Sequence, residues 1–546
     1  MKKTTKFLAT TLSLLLIGAT GCGPQGGGIE LEYDFTESQN KIEYTFFAPN
    51  WQNFEGVTHD RVLTHIEEKF NVSINIVGAG GSWEDRLATE IADNNTPDLV
   101  FSLPDSATFI NYINKQVITD INPYIEKANA TNLSQILATE QYKNSTTVNG
   151  KNYFVPQSVG YTTRVMLVRK DWMKKWNEAA VADGGRALTG EDVYSEPQTL
   201  SEFTSMLTYF REKDPDGDGK KNTYGLALSN NFDYLQDLFA TFGIKPEYSF
   251  DANGDFQLSA LTDNYKTMLD WFKAGNSSGT IYSDFYAQTE GEAIQTFYRG
   301  VSGAIISSGD GMLDGVINEI GNAYPGKDYQ DLITLIAPPD SDDGAYQGAF
   351  KGWNFYWGGW CVSATAKEPM RLIKILDYLF SPEGQKLLVY GLKDVHYTEE
   401  NGVITPNYEE RLKEGVHGFN RPNTLKKNEP FGRYGLGYQF NPCPYKIVDN
   451  KLEINFPYDC YMDPVMMKKA YDLTVATTPN FNALSSIIAD VDINNTNNKI
   501  IDAVQTYTIQ VISGNETQEN AMDDLMNRLN ALKYKEVLSY LNKNNK

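Results

Sequence analysis

Cysteine is scarce in this chain: Cys22, Cys361, Cys443 and Cys460 are all there are in 546 residues. So few cannot make the disulfide framework of a small secreted scaffold. Cys443 and Cys460 flank a plausible hairpin and could pair, or the three cysteines beyond Cys22 could all be buried thiols. Histidine is as sparse, with only His59, His65, His396 and His417. The first two fall in or beside one helical pattern, at a spacing that suits no shared metal. No Gly-x-Ser-x-Gly elbow, His-Glu-x-x-His pair or phosphate loop stands out as a catalytic motif. With 70 acidic side chains a carboxylate pair is always available. A secreted glycan-cleaving enzyme therefore stays as the alternative from another class. Base falls short of acid, 48 against 70, for a formal net charge of −22. That balance argues against nucleic acid and against docking on anionic lipid. Beyond the N-terminus no apolar run is long enough to span a membrane.

The N-terminus itself is informative. Lys2, Lys3 and Lys6 precede a mostly apolar stretch from Phe7 to Ile17, which closes on Gly18-Ala19-Thr20-Gly21-Cys22. The apolar core is too short for a spanning helix and reads as a signal peptide over residues 1–21. The Ala-Thr-Gly-Cys ending resembles a bacterial lipobox. Cys22 would then be the acylated first residue of the mature protein, held on the outer face of the cell membrane. Gly23-Pro24-Gln25-Gly26-Gly27-Gly28 opens a flexible tether that reaches residue 40.

From Lys41 the chain reads as α/β. Ile42, Tyr44 and Phe46 alternate as in a strand. Val62, Leu63, Ile66 and Phe70 follow at helical spacing, and Val72, Ile74 and Ile76 alternate again. Strand, helix, strand with short connections predicts a parallel βαβ unit. Further strands are expected near residues 99–102, 150–157, 165–168, 300–308 and 332–336, with helices at 83–94, from 169, at 369–379 and after Ser381. At the C-terminus Asn515 and Gln518 resemble a capping box ahead of a last helical segment. Ligands of open α/β sheets bind beyond the carboxyl ends of strands, which points to Trp51 and to Ser102–Asp105.

Two stretches stand out chemically. In Asp214-Pro215-Asp216-Gly217-Asp218-Gly219-Lys220-Lys221-Asn222-Thr223-Tyr224-Gly225, oxygens fall at alternate positions with glycine sixth. Asp214, Asp216, Asp218 and Asn222 side chains, with the Lys220 carbonyl, suit a hard cation such as Ca²⁺. The twelfth position is glycine rather than a bidentate glutamate, so a structural loop fits better than a paired sensor. Gly352-Trp353-Asn354-Phe355-Tyr356-Trp357-Gly358-Gly359-Trp360-Cys361 interleaves aromatics with glycine. It predicts a segment crossing between two lobes and offering a stacking floor for a sugar, against the plainer alternative of a buried strand.

Taken in order, several landmarks resemble those of the lipoprotein-anchored extracellular solute-binding proteins of bacterial ABC importers. The resemblance is to the family 1, LplA-like Gram-positive group, related to the alginate-oligosaccharide binding proteins. The landmarks are the Cys22 lipobox, Thr96-Pro97-Asp98-Leu99-Val100-Phe101, Gly150-Lys151-x-Tyr153-x-Val155-Pro156-Gln157, Arg169-Lys170-Asp171-Trp172, the Asp214–Gly225 loop and Asp377-Tyr378-Leu379-Phe380-Ser381-Pro382-Glu383-Gly384. The resemblance implies a two-lobed, type II periplasmic-binding-protein-like fold that closes on its ligand by hinge motion. Lobe one would hold about 41–160 plus 360–440, and lobe two about 165–355 plus much of 441–546. The crossings would lie at Gln157–Thr163 and Trp353–Trp360, and the calcium would be structural, remote from the ligand. Aromatic faces stack on sugar rings and polar groups bind hydroxyls. The expected ligand residues are Trp51, Trp83, Asp105, Gln157, Tyr161, Asp310, Trp353, Tyr356, Trp357 and Trp360. The expected function is capture of an oligosaccharide by a monomer that hands it to an ABC permease, without catalysis. A peptide receptor of the same fold is a further alternative.

Overall fold

The computed structural model describes residues 40–49, 60–79, 83–103, 106–139, 142–143, 146–157, 164–182, 195–309, 312–351, 358–413, 440, 445–449, 451–454, 464–477 and 488–544. Nine strands form its two main sheets: β1 (Ile42–Pro49), β2 (Val72–Ala79), β3 (Leu99–Ser102), β4 (Val155–Pro156), β5 (Arg164–Arg169), β6 (Tyr224–Ala227), β7 (Ser302–Ser308), β8 (Ile333–Ile336) and β9 (Gly359–Val362).

The first sheet has the order β2-β1-β3-β9-β4. β1 pairs in parallel with β2 and β3, in register Tyr44 with Ile74 and Phe46 with Leu99. This is the βαβ unit expected from the alternation, and the helix Arg61–Phe70 makes its crossover. That helix starts where Asp60 accepts the Leu63 N–H at 2.7 Å, and it buries Val62, Leu63, Ile66 and Phe70. β9 returns antiparallel between β3 and β4, setting Trp360 against Phe101 and Cys361 against Val100. The second sheet has the order β8-β5-β7-β6. β6 and β7 are parallel, and β5 runs against both β7 and β8. Every residue of β5 is buried, as a central strand covered on both faces requires.

Each sheet is the centre of its own core, which makes the molecule two-lobed. One core joins buried residues of 42–155 with those of 360–388 and Phe440, and Tyr445 and Ile447 of the hairpin at 445–454 pack on it. The others lie on the two faces of the second sheet and draw in residues 466–541. The long helix Val491–Ser513 belongs to the second lobe but also touches the helix Ala107–Asn114 of the first. The last helical segments differ in one detail from the sequence reading. Thr517, not Asn515, caps the helix Gln518–Ala531, accepting the Asn520 N–H at 3.2 Å. Among the described residues no helix is long and apolar enough to cross a membrane.

The landmark motifs act locally as braces. Asp98 accepts the Thr45 N–H at 2.9 Å and the Lys367 N–H at 3.2 Å, tying β1 to the chain beyond β9. Arg169 grips Asp171 with two nitrogens, at 2.9 and 2.6 Å, and lies 4.8 Å from the ring centres of both Trp172 and Tyr324. Asp377 is fully buried and accepts the Leu133 N–H at 2.9 Å, in the first turn of the helix Thr131–Ala138.

Candidate functional site

The chain passes between the two lobes from Gln157 to Arg164, again from Lys351 to Gly358, and a third time between the hairpin at 445–454 and the helix Pro464–Thr477. On the first lobe, the Gln157 N–H donates to the Gly358 carbonyl at 2.9 Å. On the second, Arg164 opens β5, and Lys351 Nζ and N–H reach the same short helical stretch as its guanidinium. Lys351 Nζ is 2.8 Å from Asp233 Oδ1, and its N–H donates to Asp237 Oδ1 at 2.7 Å. Arg164 Nη2 is 3.9 Å from Asp233 Oδ2 and its Nε 3.8 Å from Asp237 Oδ2. Its guanidinium lies 4.7 Å over the Tyr234 ring. The first two connections are therefore paired with each other at both ends, at one by a backbone hydrogen bond and at the other by an i,i+4 carboxylate pair.

The end of the second sheet from which those two connections leave is also the carboxyl end of β6 and β7. Ser308, last residue of β7, pairs in register with Arg164, first of β5. The helix Glu290–Tyr298 begins there, fixed by a capping box between Thr289 and Glu292. Glu290 Oε1 accepts from the Tyr234 hydroxyl at 2.6 Å and from Ser307 Oγ at 2.6 Å. Glu290 sits in the first turn, where the helix dipole favours a negative group. Burial pushes the Asp237 carboxyl up to about 6, against the pull of Arg164 and of Lys351. Burial, followed by Glu290, raises the Tyr234 hydroxyl in the same way.

The expected ligand residues fare differently. Trp360 is a correction: its side chain has no exposed surface, because β9 is covered on both faces. It stacks on Phe440 at 5.1 Å, meets Phe101 edge-on at 5.5 Å and lies near Phe46 at 6.3 Å, so it is core and offers no face to a ligand. Trp83 is half-buried at the start of the helix Trp83–Ala92, edge-on to Phe101 at 5.9 Å. The Gln157 residue is buried, with its N–H engaged as above. Trp51, Asp105, Tyr161, Asp310, Trp353, Tyr356 and Trp357 lie outside the described residues, as do Cys22, Cys443 and Cys460. Cys361 is a buried thiol whose pKa burial raises. Trp172 and Trp176 are buried and Trp271 packs against the second core, as helical spacing predicts. Sequence reading missed Arg164, Asp233, Asp237, Glu290 and Lys351. The signal was available in the Asp233-x-x-x-Asp237 spacing and in the single cation flanking each of the first two connecting segments.

The acidic loop connects the helix Leu200–Glu212 to β6. Asp214, Gly217 and Gly219 have φ of 48°, 77° and 81°, which coil the loop inward. One carboxylate oxygen each from Asp214, Asp216 and Asp218 falls within 4.8 Å of the others. Asp214 accepts N–H groups of Asp218 and Gly219, and Asp218 accepts the Asn222 amide at 3.0 Å. Desolvation raises the Asp216 carboxyl, and its hydrogen bond with Asp214 raises it further. For Asp214 desolvation works in the same direction. The Asp216 hydrogen bond and the N–H groups of Gly219, Asp218 and Gly217 outweigh it and hold that carboxyl below its usual value. Three converging carboxylates form an oxygen donor set that fits a hard divalent cation. The sequence reading passed over a Gly-x-Ser-x-Gly spacing at Gly275-Asn276-Ser277-Ser278-Gly279, but it ends the helix Asp263–Ser278, and Ser277 Oγ donates to the Lys273 carbonyl at 2.8 Å. It lacks the strand-to-helix turn that exposes a nucleophile.

Residues 62–393 match the family model of the bacterial extracellular solute-binding proteins. Lipoprotein LipO of Bacillus subtilis is 26% identical over 338 residues, 59% of this chain and 61% of LipO. The polygalacturonan/rhamnogalacturonan-binding protein YtcQ of the same organism is 24% identical over 362 residues, 65% of this chain and 67% of YtcQ. The chain thus spans about three fifths to two thirds of these relatives. Among solved structures, the alginate-binding protein AlgQ2 without calcium ion superposes with a TM-score of 0.61 at 16% identity, covering 93% of this chain and 98% of that one. That likeness supports the two-lobed fold described above, and the family model's match over residues 62–393, more than half of the chain, shows that this chain belongs to the bacterial extracellular solute-binding protein family.

Proposed function

We propose that the chain is the capturing subunit of an ABC importer, tethered to the outer face of the cell membrane through Cys22. Its ligand is an oligosaccharide taken up between the two lobes and released intact to the permease. The observation that carries this reading is the pairing of the first two interlobe connections at both ends. Gln157 and Gly358 are joined on one lobe, and Arg164 and Lys351 share the Asp233/Asp237 pair on the other. Two short connections fixed at their roots permit a hinge and leave the strand ends between them for a ligand. The names of YtcQ and AlgQ2 support a carbohydrate. Trp353, Tyr356 and Trp357, between two of those roots in the chain, and Trp51, just beyond β1, supply stacking faces, and Asp105, Gln157, Tyr161 and Asp310 supply hydrogen bonds. Trp83 offers the exposed part of its indole. A structural Ca²⁺ is held by Asp214, Asp216, Asp218, the Lys220 carbonyl and Asn222.

A ligand that binds only the folded state must raise its melting midpoint. Thermal-shift titration of the mature chain against neutral and acidic oligosaccharides is expected to give a rise with at least one, and chromatography should return that glycan at its original length. A shift with peptides alone, or recovery of shortened glycan, would sink the proposal.

A further inference from the structure

The charged cluster at the open end of the second sheet is layered. Arg164 keeps 1% of its side chain exposed and Lys351 12%, whereas Asp233 keeps 29%. Glu290 is also partly exposed. The cations therefore lie beneath, each already engaged by a carboxylate of the segment Phe232–Leu238, and carboxylate oxygens lie outermost. Around them the hydroxyls of Tyr234 and Ser307 already donate to Glu290. A carboxylate accepts hydrogen bonds and cannot donate them. What this face recognises must therefore donate, as sugar hydroxyls and amino groups do. A second carboxylate brought to it would meet like charge, with the nearest cations sunk and compensated.

The geometry points to a cargo that carries no carboxylate where it meets the second lobe: a neutral or amino-sugar oligosaccharide, not a polyuronate. The inference rests on the carbohydrate reading above and narrows it. It also separates this chain from YtcQ and AlgQ2, whose names specify polygalacturonan and alginate, both uronate polymers. Arg164 and Lys351 alone would have suggested the opposite, since guanidinium and ammonium groups are the usual partners of a sugar carboxylate. Their depth, and the Asp233 and Asp237 oxygens beside them, remove that option.

The test uses the mature chain at low ionic strength. Neutral trisaccharides (maltotriose, xylotriose, kestose) and trigalacturonate are titrated calorimetrically. Any neutral binder is then compared with its own derivative oxidised to the uronate at the primary alcohols. The oxidised form is expected to bind at least about tenfold more weakly, and Asp233→Asn or Glu290→Gln should narrow that ratio several-fold. Melting midpoints of both variants show whether each remains folded, and either one suffices for the comparison. A uronate that binds as tightly as its neutral parent, or trigalacturonate binding alone, overturns this inference and leaves the carbohydrate reading standing. An oxidation penalty that neither variant alters also overturns it. If no glycan of any charge binds, the carbohydrate reading itself falls and takes this inference with it.

Discussion

At the scale of single residues, Asp237 is the most consequential group in the second lobe. It has no exposed surface, it receives the Lys351 N–H, and it faces Arg164. Burial raises its pKa from 3.8 to about 6. Between those values the native state holds a proton that the unfolded chain has released. Its contribution to stability is therefore complete below about pH 4, falls as pH rises through about 6, and is flat above. Asp237→Asn should remove this component, so the stability of wild type relative to the variant is expected to fall by about 3 kcal/mol from pH 4 to pH 7. Urea unfolding of both proteins across that range measures it. A difference independent of pH would mean that Arg164 keeps the carboxylate ionised throughout. Trp360 teaches a different lesson at this scale. Aromatic density flagged it as a ligand platform, but one β-strand position decides between platform and core, and strand pairing with β3 and β4 buried it.

Elements were more legible than contacts. The βαβ start, the buried strand after Pro97 and the helix from Pro369 all followed from alternation, helical spacing and proline position. The charged cluster was not legible in the same way, because Arg164, Asp233, Glu290 and Lys351 meet only once three strands and two helices are assembled. Family landmarks prove to be local braces, and Ser381-Pro382-Glu383-Gly384, expected to restart a helix, shows how. Ser381 accepts the Gly384 N–H at 3.0 Å, and Pro382 opens the helix Pro382–Tyr390 without needing a donor. Glu383 accepts the Tyr378 hydroxyl at 2.8 Å. Gly384 leaves no room for a side chain, since a Cβ there would lie 1.9 Å from the Tyr378 carbonyl oxygen. Backbone cannot yield as a flexible side chain would, so Gly384→Ala is expected to cost about 2–4 kcal/mol. Chemical denaturation would show this as a lower midpoint at unchanged slope. A cost below about 1 kcal/mol would show that the turn between Leu379 and Ser381 adjusts freely.

For the whole molecule, two cores joined by short connections imply two cooperative units rather than one. The acidic loop sits between the helix Leu200–Glu212 and β6, wholly within the second lobe. Thr223 ties its end to that helix by donating from Oγ1 to the Phe210 carbonyl at 2.5 Å, and Arg211 Nη1 donates to the Thr223 carbonyl at 3.0 Å. Calcium binding there should therefore stabilise the second lobe alone. Scanning calorimetry of the mature chain without sugar is expected to resolve into two overlapping transitions. Chelation with EDTA, or Asp218→Asn in the presence of calcium, should lower one of them. Gly384→Ala, which acts in the first lobe, should lower the other. A bound oligosaccharide touching both lobes links their equilibria, so adding it should draw the two transitions together and raise the lower one more. If EDTA moves both transitions equally, the helix Val491–Ser513, which touches both lobes, couples them more strongly than the connections alone would allow. Closure on the ligand would then begin from a molecule already acting as one unit.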